Sequence, residues 1–234
     1  MIFSKNIIHK TLCILGIILF GGLFSACDML GGIYDNDKDN PQTENTDDIS
    51  SVNQDGSRTI YRDCSDFRQW TYIDLHTIEP TITVSTISPD DFSETGKPSE
   101  WDIAIHRYDV KTNGAGVLMT QYHSISELET AGLPINPQWV KDQYFEESII
   151  IDLSRMLEGI LKYAPGYKNT EASKWMNVDI SNMPPDYAMY DNVILCQFTD
   201  GTYAAFQLKD FMSKDNNRLK GWMTVQYKYP IFKQ

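Results

Sequence analysis

From Thr59 onward, apolar and polar residues alternate in short runs. Examples are Trp70-Thr71-Tyr72-Ile73-Asp74-Leu75, Trp101-Asp102-Ile103-Ala104-Ile105-His106-Arg107, Val193-Ile194-Leu195-Cys196-Gln197-Phe198, Tyr203-Ala204-Ala205-Phe206-Gln207-Leu208 and Trp222-Met223-Thr224-Val225-Gln226-Tyr227. A two-residue period sends successive side chains to opposite faces, so each run predicts a half-buried β-strand. Pro, Gly, Asn and Asp separate the runs, and Asp200-Gly201 between two of them predicts a hairpin turn. Helix signals are few: Ser124 followed by Glu127 forms a capping box, and Ser154 to Leu161 has the length of two turns. The pattern predicts an all-β, mainly antiparallel two-sheet domain over residues 59–234, with one or two short helices and no internal repeat.

The first 26 residues have a different texture. Lys5 and Lys10 precede the apolar stretch Leu12 to Phe20, and Leu23-Phe24-Ser25-Ala26-Cys27 closes the segment. This resembles a bacterial lipoprotein signal, whose pattern is Leu-x-(Ala/Ser)-(Gly/Ala)-Cys; here Phe24 takes the usual Leu place. The apolar run is short for the ~20 residues of a spanning helix, which favours cleavage before Cys27 over a membrane anchor. Cys27 is then the lipidation site, carrying palmitate among its acyl chains. Residues 27–58 hold eight acids, with Gly31-Gly32, Pro41 and few large apolar residues after Tyr34, and are expected to form an acidic flexible tether.

Composition narrows the function. Lys+Arg 20 against Asp+Glu 32 gives a formal charge of -12, and loss of Lys5 and Lys10 with the signal takes it to -14. A phosphate-binding face needs net positive charge, so nucleic acid is not an expected partner. The mature part keeps His76, His106 and His123, none in HExxH or a Cys/His cluster, and there is no GxSxG, phosphate-binding glycine loop or dinucleotide fingerprint. No catalytic constellation emerges, and the chain is not expected to be an enzyme. His106 reads as a structural histidine that Asp102, two residues away on the same strand face, would orient. Cys64 and Cys196 remain after processing, either as one disulfide or as two buried thiols.

Methionines are numerous for a β-rich domain. Met119 and Met223 fall inside strand-like runs and are expected in the core. Met183 lies in the loop Ser181-Asn182-Met183-Pro184-Pro185-Asp186, and Met156 lies in Leu153-Ser154-Arg155-Met156-Leu157. Both read either as gap-filling hydrophobes or as soft thioether ligands suited to haem iron or Cu(I).

Trp70-Thr71-Tyr72, the block Trp101-Asp102-Ile103-Ala104-Ile105-His106-Arg107-Tyr108-Asp109-Val110-Lys111-Thr112-Asn113-Gly114, and Thr224-Val225-Gln226-Tyr227-Lys228-Tyr229-Pro230 together resemble the HmuY haemophore family of Bacteroidetes lipoproteins. The resemblance spans about Thr59 to Pro230. It implies an all-β fold with two loop-bearing projections that grip one haem b (iron protoporphyrin IX). It also implies lipid anchoring at the outer-membrane surface, transfer of haem to a TonB-dependent receptor, and host haemoproteins as sources. Two histidines hold the iron in the founding type, but the matching regions here, between Ile149 and Lys168 and near Ile180 to Met183, contain none. Other members use methionines in the two ligand loops, where this chain has Met156 and Met183; Met176 and Met189 are the nearest substitutes. Tyr163, Tyr167, Trp175 and Tyr187 are the candidate pocket walls, and Lys162, Lys168 or Lys174 the candidate partners of the propionates. A same-fold lipoprotein without haem ligation, acting as a protein- or glycan-binding accessory or adhesin, is the alternative.

Overall fold

The computed structural model describes residues 48–49, 52–77, 79–179, 181, 185–215 and 218–232. The expected signal segment, Cys27 and Met183 lie outside the described residues. The chain first runs through β1 (Asp48–Ile49), β2 (Arg58–Asp63), β3 (Gln69–Asp74), β4 (Thr81–Ile87), β5 (Glu94–Thr95), β6 (Ile103–His106), β7 (Asp109–Thr112) and β8 (Gly116–Met119). A short helix, α1 (Ile125–Ala131), follows. Then come β9 (Gln143–Asp152), β10 (Lys162–Lys168), β11 (Met176–Asp179), β12 (Asp186–Met189), β13 (Ile194–Gln197), β14 (Tyr203–Met212) and β15 (Lys220–Lys228).

Every ladder is antiparallel. One sheet has six strands in the order β1-β2-β15-β14-β13-β8, and a second has five in the order β5-β4-β3-β6-β7. Two further pairs, β9 with β10 and β11 with β12, stand as separate hairpins. The all-β, two-sheet expectation holds. Ordered structure nevertheless begins ahead of Thr59: Ile49 pairs with Ile60, and the turn at Asn53 to Ser57 is closed by the Asp55 carboxylate accepting from Ser57 N at 3.0 Å.

The strands of the five-stranded sheet are buried more deeply than simple alternation predicts. Trp70, Thr71, Tyr72 and Ile73 are all buried, as are Ile103 through His106. Both faces are covered. Ile73, Ile103 and Ile105 join Ile60, Phe206, Leu208 and Val225 in the core between the two large sheets. On the opposite face Trp70, Tyr72 and Ala104 pack against Ile149, Ile151 and Ala164 of the β9-β10 hairpin. A strand covered on both faces has no solvent side to keep polar. The outer face of the six-stranded sheet is covered in turn by α1, whose Ile125 and Leu128 meet Val193, Leu195 and Ala205.

The two helix expectations fared differently. Ser124 caps α1, its side chain accepting from Glu127 N at 3.2 Å, while Glu127 reaches back to His123 N at 3.1 Å. Ser154 to Leu161 instead forms only a 3₁₀ turn, Met156–Glu158, because Gly159 adopts a left-handed conformation at φ 75° and its N–H closes on Met156 O at 2.9 Å. Asp200-Gly201 makes the expected turn between β13 and β14, with Gly201 at φ 87°. Cys64 and Cys196 are free and buried, and burial pushes the Cys196 thiol well above its ordinary pKa. Among the described residues no helix is long and apolar enough to cross a membrane.

Candidate ligand cleft at the roots of two hairpins

The β9-β10 hairpin has a buried root and an exposed tip. Ile149, Ile151 and Ala164 anchor it on the five-stranded sheet, whereas Leu157 and Ile160 around the 3₁₀ turn are 64% and 43% exposed. Met156 sits at that turn, half-buried, beside the ion pair of Arg155 Nη2 with Glu158 Oε2 at 2.6 Å. The β11-β12 hairpin pairs Met176 with Met189 at its root and Asp179 with Asp186 just before its turn. Met183 belongs by sequence to that turn.

One buried residue ties the two roots together. Asn169, fully buried, directly follows β10 and leads into the 3₁₀ turn Ala172–Trp175 that opens β11. Its Nδ2 donates to Val140 O at 3.1 Å and to Asp142 Oδ1 at 2.9 Å, and its Oδ1 accepts from Glu171 N at 3.1 Å and Ala172 N at 2.9 Å. Its own N–H donates to Val110 O at 2.7 Å, and its carbonyl accepts from Ser173 Oγ at 2.8 Å. A single amide thus fixes where both hairpins leave the body. Sequence reading missed it, because a lone Asn before a polar stretch has no periodic or motif signature.

Where the hairpins depart lies a cleft of about 570 Å³, lined by Met119, Lys168, Ser173, Lys174, Met176 and Tyr190 among others. That volume is in the range of sites for small molecules and cofactors. Lys168 Nζ lies 3.1 Å from Asp109 Oδ1 and donates to Ser148 O at 2.9 Å; Lys174 Nζ lies 2.5 Å from Glu171 Oε2. Glu171 also accepts from Met119 N at 3.3 Å, so the cationic rim is held in place by carboxylates. Met119, expected in the core, is only partly buried and faces this cleft, while Met223 is buried at 1% exposure as expected. The alternation of Gly116 to Met119 had given no sign of that difference, because β8 is an edge strand.

The aromatic candidates divide by environment. Tyr167 is 60% exposed and meets Tyr144 edge-on at 5.5 Å, and Tyr163 lies half-buried on β10 opposite Ile150. Tyr187 stacks on Phe211 at 5.7 Å with Lys220 Nζ 4.5 Å from its ring centroid. Trp175 packs in the inter-sheet core and its Nε1 donates to Tyr108 O at 2.7 Å. Met176 also belongs to that core at 5% exposure, whereas Met189 is 38% exposed. Of the eleven exposed large hydrophobic residues among those described, Tyr144, Leu157, Ile160, Tyr167, Met189 and Tyr190 lie on or directly after the two hairpins. Exposed apolar side chains are thus concentrated on the two hairpins.

A family model described as HmuY protein matches residues 66–227. The chain belongs to the HmuY family. Among solved structures, a candidate lipoprotein of Bacteroides fragilis is 37% identical, with a TM-score of 0.71 over 83% of this chain and 100% of that one. A candidate HmuY-like heme-binding protein of Bacteroides vulgatus is 42% identical, with a TM-score of 0.65 over 76% of this chain and 93% of that one. The apo form of an HmuY analogue from Tannerella forsythia shares the fold at 20% identity and a TM-score of 0.56, over 77% and 97% of the two chains. Comparison with curated protein sequences returned no match.

Within this HmuY fold the histidines have other partners. His106 Nε2 meets Phe67 O at 2.8 Å and its ring packs on Trp70 at 5.4 Å, so it is structural. The expected orienting partner is corrected: Asp102 turns away from His106 to accept from Leu75 N at 2.6 Å and to meet His76 Nδ1 at 2.9 Å. Asp102 precedes β6 rather than lying in it, so the alternation argument does not reach it.

Asp74, His76 and Asp102 are close enough to hold a metal ion. His76 Nε2, however, already meets Asp200 Oδ2 at 3.0 Å, so both ring nitrogens carry carboxylates and the group is an ion-paired pin between the two sheets. Burial lowers the His76 pKa, but hydrogen bonds and charge from Asp102 and Asp200 outweigh it and hold the value above the ordinary 6.5. A histidine raised on folding contributes stability below its unfolded pKa and loses it as pH rises through the folded one. The Tm gap between the native chain and His76→Phe is therefore expected to narrow on going from pH 6 to pH 8. The contribution should be on the order of 0.5–1 kcal/mol, given the partial exposure of the ring. A gap that widens with pH would contradict it.

Proposed function

We propose that this protein is a haem-binding surface lipoprotein, lipidated at Cys27 and held by an acidic tether at the outer membrane. In this reading haem would be held between the two hairpins, with Met156 and Met183 supplying thioether sulfurs to the iron, and passed to a TonB-dependent receptor. The concentration of exposed apolar residues on the two hairpins, with Met156 at the tip of one, carries the reading. It suits a planar macrocycle that is apolar in its body. HmuY family membership and the heme-binding description of the Bacteroides vulgatus relative support it.

The donor set fits the group. Thioethers are soft ligands that stabilise the reduced iron and raise its potential, so a ferrous preference is expected. Long-range attraction does not help: residues 59–234 carry a formal charge of -8, so anionic haem is not steered in. Burial and coordination must supply the affinity. The test is a haem titration of the protein with and without dithionite. A Soret shift that sharpens on reduction is expected. No spectral change in either redox state would sink the reading and leave a protein- or glycan-binding accessory of the same fold.

A further inference from the structure

A second cavity, of about 430 Å³, lies between the five-stranded sheet and the β9-β10 hairpin. It shares no lining residue with the hairpin-root cleft, and of the described residues assigned above to haem only Tyr167 touches it. Its walls are Trp70, Trp101, Ile87 and Ile149, and its rim includes the exposed Phe92. Lys111 of β7 stands inside this aromatic wall at 8% exposure, with Nζ 4.1 Å from the Trp70 ring centroid, 4.8 Å from Tyr72 and 5.8 Å from Trp101. Lys97 Nζ comes within 5.4 Å of the same Trp101 ring.

The charges do not balance. Lys97, Lys111 and Lys141 line the cavity against Glu94 and Asp142, a formal excess of one positive charge in a chain that is otherwise acidic. Both carboxylates are already engaged. Glu94 lies 3.6 Å from Lys111 Nζ and accepts from Ser85 Oγ at 2.6 Å and from Tyr72 Oη; Asp142 accepts from Thr112 N at 2.7 Å, Thr112 Oγ1 at 2.9 Å and Asn169 Nδ2 at 2.9 Å. Burial, reinforced by Lys97, pulls the Lys111 pKa down to about 8 despite Glu94, as expected of a cation short of counter-charge.

We propose that this cavity binds a small aromatic carboxylate, its ring between Trp70, Trp101 and Ile149 and its carboxylate taken by Lys111 and Lys97. Aromatic walls give the ring offset and edge contacts, and cations over those walls place the charge at their border. The site is independent of the haem reading and would stand if that reading failed.

Titration of the purified full-length protein with 2-naphthoate and with neutral 2-naphthamide, followed by ligand-observed NMR, tests it. The carboxylate is expected to bind at least about tenfold more tightly than the amide, since hydrogen bonds and contacts to charged groups are worth more than neutral ones. Lys111→Met should erase that preference. Lys97→Met, at an exposed position that should leave folding intact, should reduce it about threefold on its own. Equal binding of the two probes, absence of binding by either, a preference that survives both lysine replacements, or stoichiometric displacement of 2-naphthoate by haem would each overturn the proposal.

Discussion

Asn169→Ala is expected to lower stability by on the order of 3 kcal/mol, seen as a fall in Tm of roughly 10 °C for a domain of this size. The replacement removes two donors and two acceptor contacts at a fully buried position. Glu171 N and Ala172 N then lose their acceptor, whereas Val140 O keeps Val117 N at 2.9 Å, and each unsatisfied buried group costs about 1–3 kcal/mol. Because these groups belong to the connections on either side of the residue, the loss should be local as well as global. Amide hydrogen exchange is expected to accelerate first in β10 and β11, ahead of β3 or β14, whose ladders lie in the large sheets. Thr130→Ala, which deletes only an exposed hydroxyl bonded to Ser126 O, should stay within about 0.5 kcal/mol of the native chain. A loss below 1 kcal/mol for Asn169→Ala would mean that the hairpin roots are held by other contacts.

The contrast between Asn169 and the strands shows what the sequence makes legible. Trp70 to Leu75 and Trp222 to Tyr227 announce themselves because burial on a sheet imposes a two-residue period, and the structure places strands there. The same period says nothing about whether the second face is covered, and it missed the packing of the β9-β10 hairpin on Trp70 and Tyr72. Ser124 and Glu127 marked α1 because a cap is a local device. Ser154 to Leu161 looked helical by length, and one glycine in a left-handed conformation decided otherwise. The site divides the same way. Of the three candidate propionate partners, Lys168 and Lys174 line the root cleft and Lys162 does not, whereas Met119 and the Lys111 cavity depend on contacts between residues far apart in the chain. Lys111 lies in the middle of the block that resembles the family, yet nothing in that block tells that three aromatic rings surround its ammonium.

Met156→Ala combined with Met183→Ala is expected to weaken ferrous haem binding at least about a hundredfold, equivalent to about 2.8 kcal/mol. Each single replacement should cost roughly tenfold and shift the Soret band, because one thioether would remain on the iron. Stability should barely move for Met156→Ala: the residue is half-buried in a 3₁₀ turn at a hairpin tip, and such positions tolerate truncation within about 0.5 kcal/mol. Met176→Ala makes the opposite control. It removes a side chain from the inter-sheet core and should cost about 2–4 kcal/mol while leaving the ferrous band in place. Met189→Ala tests the placement of the second ligand, because Met189 is exposed yet pairs with Met176 at the root of the hairpin, away from the turn. Loss of the band with Met189→Ala and its survival in the Met156, Met183 double variant would move the iron from the hairpin tips to the root cleft, where Met119 and Met176 already line the wall. Survival of the band in all of these variants would remove thioether ligation altogether, and with it the reason to expect a ferrous preference.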